Sequence, residues 1–218
     1  MKKKIIFVIL GLIFVGLVNN NLRAQKVYDV ISSKEPWKFG LRAGINYDGI
    51  TLQQGSDYKL GYKFGLVGEK RLVYNLYFQP SLSFQNKGYK YERPFSDKGD
   101  INAYVIEVVA NLLIKFGDER KGSGLFIGVA PYIAYGIGGK SRFEDLRVND
   151  TLNYGIKEEN TFSDVGMTNL DLGFQLAIGY DINNRWEIGA NYYFGLQNIT
   201  YNSNFKWRGL QANITYFF

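Results

Sequence analysis

The sequence predicts an all-β protein: an eight-stranded antiparallel up-and-down transmembrane β-barrel with long extracellular loops. Three observations predict it. Eight segments alternate apolar and polar side chains over about 10–13 residues, beyond the usual strand length and enough to cross a bilayer at a tilt. Aromatic residues reach 17% of the chain, with 17 Tyr and 16 Phe, and they gather at the ends of these segments as interfacial girdles do. The intervening segments alternate between short and long, as outer-membrane turns and loops do.

The elements follow in order. Met1–Lys4 is basic, Ile5–Val18 is an unbroken apolar run, and Asn19–Ala24 is polar and ends in a small residue. This is the layout of a secretory signal peptide over residues 1–24, cleaved before Gln25. The run falls short of the roughly 20 apolar residues of a spanning helix. Residues 25–36 form a periplasmic lead, and residues 37–218 form the barrel domain.

The first strand is Lys38–Tyr47, with Phe39, Leu41, Ala43, Ile45 and Tyr47 on one face and Lys38, Gly40, Arg42, Gly44 and Asn46 on the other. The others are Tyr58–Lys70, Leu76–Lys87, Tyr104–Phe116, Leu125–Ile137, Asn169–Tyr180, Arg185–Gln197 and Gly209–Phe218. Gly61, Gly65, Gly128, Gly136, Gly173, Gly179, Gly189 and Gly195 join Gly40 and Gly44 on the polar face. Glycine confined to one face suits a narrow interior where side chains compete for room. A soluble barrel or sandwich also alternates, with its apolar face turned inward. Strand length, girdle aromatics and loop alternation favour the membrane. Pro80 and Pro131 fall in mid-strand, where a closed barrel has no free edge; a bulge is expected at each.

Composition excludes several functions. The 218 residues are 46% apolar and 21% charged, with no Cys and no His. A disulfide, a thiolate nucleophile and a Cys/His metal site are impossible, and the usual neutral-pH general base is missing. The leader holds Lys2, Lys3, Lys4 and Arg23 and no acid, so removing those four cations from 26 leaves 22 against 20 acids. That balance gives no support to nucleic-acid binding. Ala134–Ser141 reads AYGIGGKS, a relaxed phosphate-loop pattern. It lacks the first glycine and follows a two-faced strand, so it reads as the Gly-rich top of the fifth strand. The third long loop, Gly138–Thr168, carries Glu144, Asp145, Asp150, Glu158, Glu159 and Asp164. Their spacing is irregular and basic residues interleave, as in a solvated loop rather than a calcium site.

The candidate site is the lumen. Arg42 and Lys63 face Glu107 and Asp171 as an internal charge network, because buried charges must be paired. Glu107 is expected to pair with Arg42 or Lys63, and Lys115 with Glu187 near the periplasmic end. An eight-stranded barrel is just wide enough for its own side chains, which disfavours a porin. No catalytic residue, cofactor or metal site is expected. Carboxylate chemistry from Glu107 and Asp171 is the one enzymatic route left open.

Several stretches carry a family likeness: Phe39-Gly40-Leu41-Arg42-Ala43-Gly44-Ile45-Asn46, Phe78-Gln79-Pro80-Ser81-Leu82, Asn86-Lys87-Gly88, Gly128-Val129-Ala130-Pro131-Tyr132, Leu172-Gly173 through Gly179-Tyr180, and Tyr193 through Ile199. Over nearly all of the mature length the chain resembles the PorT-like outer-membrane β-barrel family of Bacteroidetes-type bacteria. Both prolines fall where that family usually has proline. The fourth strand departs, with Val109 after Glu107-Val108 where the family often has proline. The resemblance implies a barrel in the bacterial outer membrane, and one branch of the family serves protein secretion. The reading is a non-catalytic barrel with a structural or interaction role at the cell surface. Its partners would be outer-membrane lipid and proteins of a secretion or envelope complex. The alternatives are a narrow channel or transporter and an accessory barrel of a secretion machinery.

Overall fold

A computed structural model describes residues 35–51, 55–92, 97–118, 122–145, 148–149, 151–152, 155–200 and 204–218. The expected signal peptide and all but the last two residues of the lead lie outside them. Eight long strands carry the fold: β1 (Lys38–Ile50), β2 (Ser56–Val73), β3 (Leu76–Glu92), β4 (Asp97–Asp118), β5 (Ser123–Gly138), β10 (Leu170–Ile182), β11 (Trp186–Gly195) and β12 (Trp207–Phe217). Each pairs antiparallel with its sequence neighbour among the eight, and β1 pairs with β12 to close the barrel. That closing ladder runs without a shift from Gly40 opposite Phe217 to Ile50 opposite Trp207. The predicted fold class therefore holds.

The alternation sorts side chains as a membrane barrel requires. Leu41, Leu60, Leu66, Leu82, Ile127, Val129, Leu176, Ile188 and Leu210 point outward and are exposed. Their neighbours Arg42, Lys63, Ser81, Ser83, Gln175, Glu187 and Gln211 point inward and are buried. In water such a continuous apolar surface would far exceed what a monomer exposes; in a bilayer it is the lipid-facing belt. Tyr47 stacks on Tyr58 at one rim, with ring centroids 5.1 Å apart. Trp186 packs on Tyr216 at the other, 4.7 Å apart. The turn between β10 and β11 uses Asn183 and Asn184, both with positive φ, the conformation Asn tolerates best among non-glycines.

The interior is crowded, and glycine makes the room. A Cβ at Gly179 would sit 2.3 Å from the Phe126 ring, one at Gly173 2.6 Å from the Tyr132 ring, and one at Gly136 2.0 Å from the Phe162 ring. At these positions glycine leaves room for a large ring from the adjacent strand or from the third loop.

The prolines behave otherwise than expected. Neither sits in a bulge. Pro80 pairs with Ala110 of β4, and the β2–β3 register is the same on both sides of it, Val67 opposite Ser81 and Lys70 opposite Phe78. Pro131 lies opposite Phe174, and its β4 register also continues, Val109 opposite Tyr132 and Leu112 opposite Val129. The shifts fall elsewhere, between Tyr58 and Lys63, between Arg71 and Val73, and between Tyr104 and Val105. The missing N–H is absorbed within an unbroken register because the flanking pairs on both sides hold the strand in place.

The strands also outrun the sequence expectation. β3 and β4 stay paired up to Glu92 opposite Lys98. Beyond Gly139 (φ 146°), the third loop folds into β6 (Lys140–Asp145), β7 (Val148–Asn149), β8 (Thr151–Leu152) and β9 (Gly155–Asn160). β6 pairs with β4 and with β9, so the wall formed by β2, β3 and β4 continues outward as a sheet ending on β9. The AYGIGGKS stretch is the junction of β5 and β6, with no helix behind it.

Candidate functional site: the charged lumen

Inward-facing polar residues form two connected groups. At the periplasmic end Arg42 Nη2 lies 2.7 Å from Glu187 Oε1 and donates to Gln79 Oε1 at 2.6 Å, while its Nε donates to Thr215 Oγ1 at 2.8 Å. Register explains the pairing. Arg42 of β1 and Glu187 of β11 both lie opposite Thr215 of β12, so the two charges flank one residue on one face. Gln79 Nε2 donates to both Glu187 and Glu69, at 2.6 and 2.9 Å. Lys115 lies 2.7 Å from Glu69 and 2.7 Å from Asp181. The expected Lys115–Glu187 pair is thus corrected: Glu187 is taken by Arg42, and Lys115 is shared by two nearer acids.

In the extracellular half Lys63 Nζ lies 2.6 Å from Glu107 Oε1 and also donates to Gln211 Oε1 at 3.1 Å. Gln85 Nε2 donates to Glu107 Oε2 at 2.8 Å. Of the two partners expected for Glu107, Lys63 holds it and Arg42 does not. Asp171 is engaged by Lys87 at 3.1 Å and by the Tyr132 hydroxyl at 3.1 Å. Lys87 is the residue the sequence reading left out of the network. Its ammonium lies 4.4 Å from the Tyr193 ring centroid, 5.1 Å from Tyr132 and 5.9 Å from Trp207, within reach of cation–π attraction to all three. The signal was available: Gln79, Ser81, Ser83, Gln85 and Lys87 are one alternating series, and Lys87 is its next member.

Above this level an aromatic and aliphatic cluster closes the extracellular side. Ile101, Tyr132, Met167, Tyr193, Ile199 and Trp207 are buried together, with Phe143, Phe162 and Phe205 packed against them. Low in the barrel, a void of about 10 Å³ remains among Arg42, Gln79, Asn111, Phe126, Glu187 and Asn213, room for a single water. Charges paired in this way cross-brace the wall. Every strand of the barrel supplies at least one member of the two groups, so the network ties together strands that do not touch through backbone.

A wall with an apolar exterior, girdle aromatics and a polar, packed interior defines a bacterial outer-membrane β-barrel protein. The chain belongs to the outer membrane protein beta-barrel domain family, whose model matches residues 23–201. No curated protein matches in sequence. Among solved structures the chain is similar to Ail, the attachment invasion locus protein of Yersinia pestis, at 13% identity over 84% of this chain and 100% of that one, with a TM-score of 0.44. It is also similar to Neisserial surface protein A, at 13% identity over 84% and 100%, TM-score 0.45. A third is the outer membrane protein OprG of Pseudomonas aeruginosa, at 12% identity over 83% and 95%, TM-score 0.40.

Proposed function

We propose that the protein is a non-catalytic, non-conducting barrel that acts as a structural or interaction protein at the cell surface. The observation that carries this is the lumen. Arg42, Lys63, Glu107 and Asp171 are all buried and all engaged by other side chains, which supports a lumen filled by its own side chains rather than a water-filled pore or a reaction site. Interaction would fall to the sheet that continues above the belt, and outer-membrane lipid would cover the belt itself. Export would remove residues 1–24. The PorT-like likeness of the Phe39–Asn46 and Gly128–Tyr132 stretches supports a place in that family as a whole, and an accessory role in a secretion or envelope complex is the alternative reading.

Planar-bilayer recording of the refolded barrel tests the plug. Flat traces are expected, and stepwise ionic currents from the pure wild type would favour the channel reading instead. Affinity purification from native outer membranes tests the interaction role through the envelope proteins that come with it. Sequencing of the native N-terminus should read from Gln25, and an intact Met1 would overturn the export reading.

A further inference from the structure

Above the belt the outer face of the sheet carries its charges in an ordered pattern. Register sets Asp57 of β2 opposite Lys90 of β3, Lys90 opposite Asp100 of β4, Asp100 opposite Arg142 of β6, and Arg142 opposite Glu158 of β9. One row across five strands therefore alternates acid, base, acid, base, acid. The next row outward reads Glu92, Lys98, Glu144 and Ile156 across β3, β4, β6 and β9. No two like charges stand directly opposite in either row, and direct opposition of unlike charges is what stabilises a cross-strand pair. Lys98 Nζ reaches Glu92 Oε1 at 2.9 Å, and Arg142 Nε lies 4.0 Å from Glu158 Oε1. Both rows stop at β9, one on Glu158 and the other on Ile156, each exposed.

A second observation concerns the backbone of the same strand. Its pairing with β6 continues to Thr161, whose N–H donates to the Gly139 carbonyl. In an antiparallel ladder a residue turns its N–H and C=O to one neighbour and the next residue turns them to the other. Lys157 and Glu159 therefore bond toward β6, while Ile156, Glu158 and Asn160 turn their groups away from it. Asn160 is served by the turn that follows: its N–H donates to Asp164 Oδ2 at 3.0 Å, and its carbonyl accepts from the Asp164 N–H at 3.1 Å. The N–H and C=O of Ile156 and Glu158 have no partner among the described residues. Unpaired groups along an ordered edge are a template for a further strand.

We propose that the β9 edge accepts one further antiparallel strand, an extended segment of another surface or envelope protein that sets a basic residue opposite Glu158 and an apolar residue opposite Ile156. The basic residue continues the alternation of the first row, and the apolar one covers an isoleucine that is otherwise in water. Antiparallel pairing places the two on the partner in the order basic-x-apolar, read from its N-terminus. A second copy of β9 does not fit. Self-pairing about the strand centre sets Lys157 against Lys157 or Glu158 against Glu158, and like charges directly opposite are destabilising. The inference rests on the surface-interaction reading above and adds the partner's chemistry. Envelope proteins that co-purify equally with wild type and with Glu158→Lys would refute the edge and leave that reading standing.

The test uses the full barrel refolded in lipid nanodiscs, with seven-residue peptides as probes. One peptide is Thr-Thr-Arg-Thr-Val-Thr-Thr, and in the other Glu replaces Arg. Amide hydrogen exchange is followed by NMR. In the free barrel the amides of Ile156 and Glu158 should exchange faster than those of Lys157 and Glu159. The arginine peptide should slow exchange at Ile156 and Glu158 and leave Lys157 and Glu159 nearly unchanged. The glutamate peptide should bind about fivefold more weakly, the effect of one directly opposed charge pair. Glu158→Lys, a substitution at an exposed position, should reverse that preference. Ile156 and Glu158 amides already protected in the free barrel, no protection by the arginine peptide, equal binding of the two peptides, or an unreversed preference in Glu158→Lys would each overturn the proposal. If Glu158→Lys does not refold, the exchange pattern and peptide preference of the wild type decide the matter.

Discussion

Glu107→Gln is the sharpest perturbation of the lumen, because no orientation of the new amide satisfies its neighbours. Glu107 is 1% exposed and accepts from Lys63 at 2.6 Å on one oxygen and from Gln85 at 2.8 Å on the other. Lys87 Nζ lies 3.9 Å from that second oxygen. Both donors point at Glu107, so whichever way the glutamine turns, its NH₂ meets an N–H. Gln85 could reverse its own amide, but its Oε1 already accepts from Gln211 at 3.3 Å. The substitution also leaves the Lys63 ammonium buried without a counter-charge. Removing one partner of such a buried pair costs about 3–5 kcal/mol. Urea titration of the refolded barrel in lipid vesicles, followed by tryptophan fluorescence, should show a loss of this size. Adding Lys63→Met removes the stranded charge and should recover part of it. Arg42 needs no change, since it answers to Glu187. A loss below about 1 kcal/mol for Glu107→Gln would refute the reasoning, because that is the range of a solvent-exposed pair.

Other expectations follow from the faces and the loops. Leu82→Arg places a charge on the lipid side and should cost about 2–4 kcal/mol near the midplane, whereas Ser81→Arg points into the packed lumen; equal tolerance of Leu82→Arg and Leu82→Ala in refolding titrations would mean that the face is misassigned. Gly136→Ala should cost about 1–3 kcal/mol by driving Phe162 off the cap, and because ring atoms are what the new methyl meets, the cost should largely vanish when measured in a Phe162→Ala background. In the extracellular turn after β9, Asp164 accepts from the Asn160 backbone N–H at 3.0 Å and the Ser163 hydroxyl at 2.9 Å. These bonds hold its carboxyl below its ordinary value of 3.8. The bonds to the charged form are complete above 3.8 and are lost only as pH falls through the lowered value, so the Asn160 amide resonance should titrate below 3.8 and stop titrating in Asp164→Ala.

Most of the barrel was legible because a strand's two faces have a period of two and a membrane makes the difference between them large. Leu82 beside Ser81, or Ile127 beside Gly128, leaves no doubt which way each points. The partners of lumen charges were less legible. Which residues meet inside depends on how far each strand is staggered against the next, and alternation does not encode stagger. Arg42 and Glu187 meet because both stand opposite Thr215, a relation visible only in the register. Lys87 ends the third run, but as the last residue of that run it is not placed on the lumen face with Gln79, Ser81, Ser83 and Gln85. Extension of β3, β4, β6 and β9 was illegible for another reason. Above the membrane the outer face meets water instead of lipid, so in Lys140–Asp145 the outward Lys140, Arg142 and Glu144 are charged and Phe143 is the one apolar residue turned inward, too little to read as a membrane strand. The bulges expected at Pro80 and Pro131 came from counting one lost donor and overlooking the intact pairs on either side.

The length of β4 has a consequence for how a partner would meet this protein. Its 22 residues span roughly 70 Å at about 3.3 Å per residue, and a tilt of about 40° leaves on the order of 55 Å of height, against an apolar band of about 25 Å. β4 ends close beneath the membrane, at the short turn into β5, so most of the surplus stands on the outer side. Arg142, Glu144, Lys157 and Glu158 are thereby carried clear of the hydrocarbon on hydrogen-bonded strands. A surface delivered on a mast of sheet arrives with its backbone already ordered. A ligand docking there would be spared much of the conformational entropy that closing on a loose loop would cost.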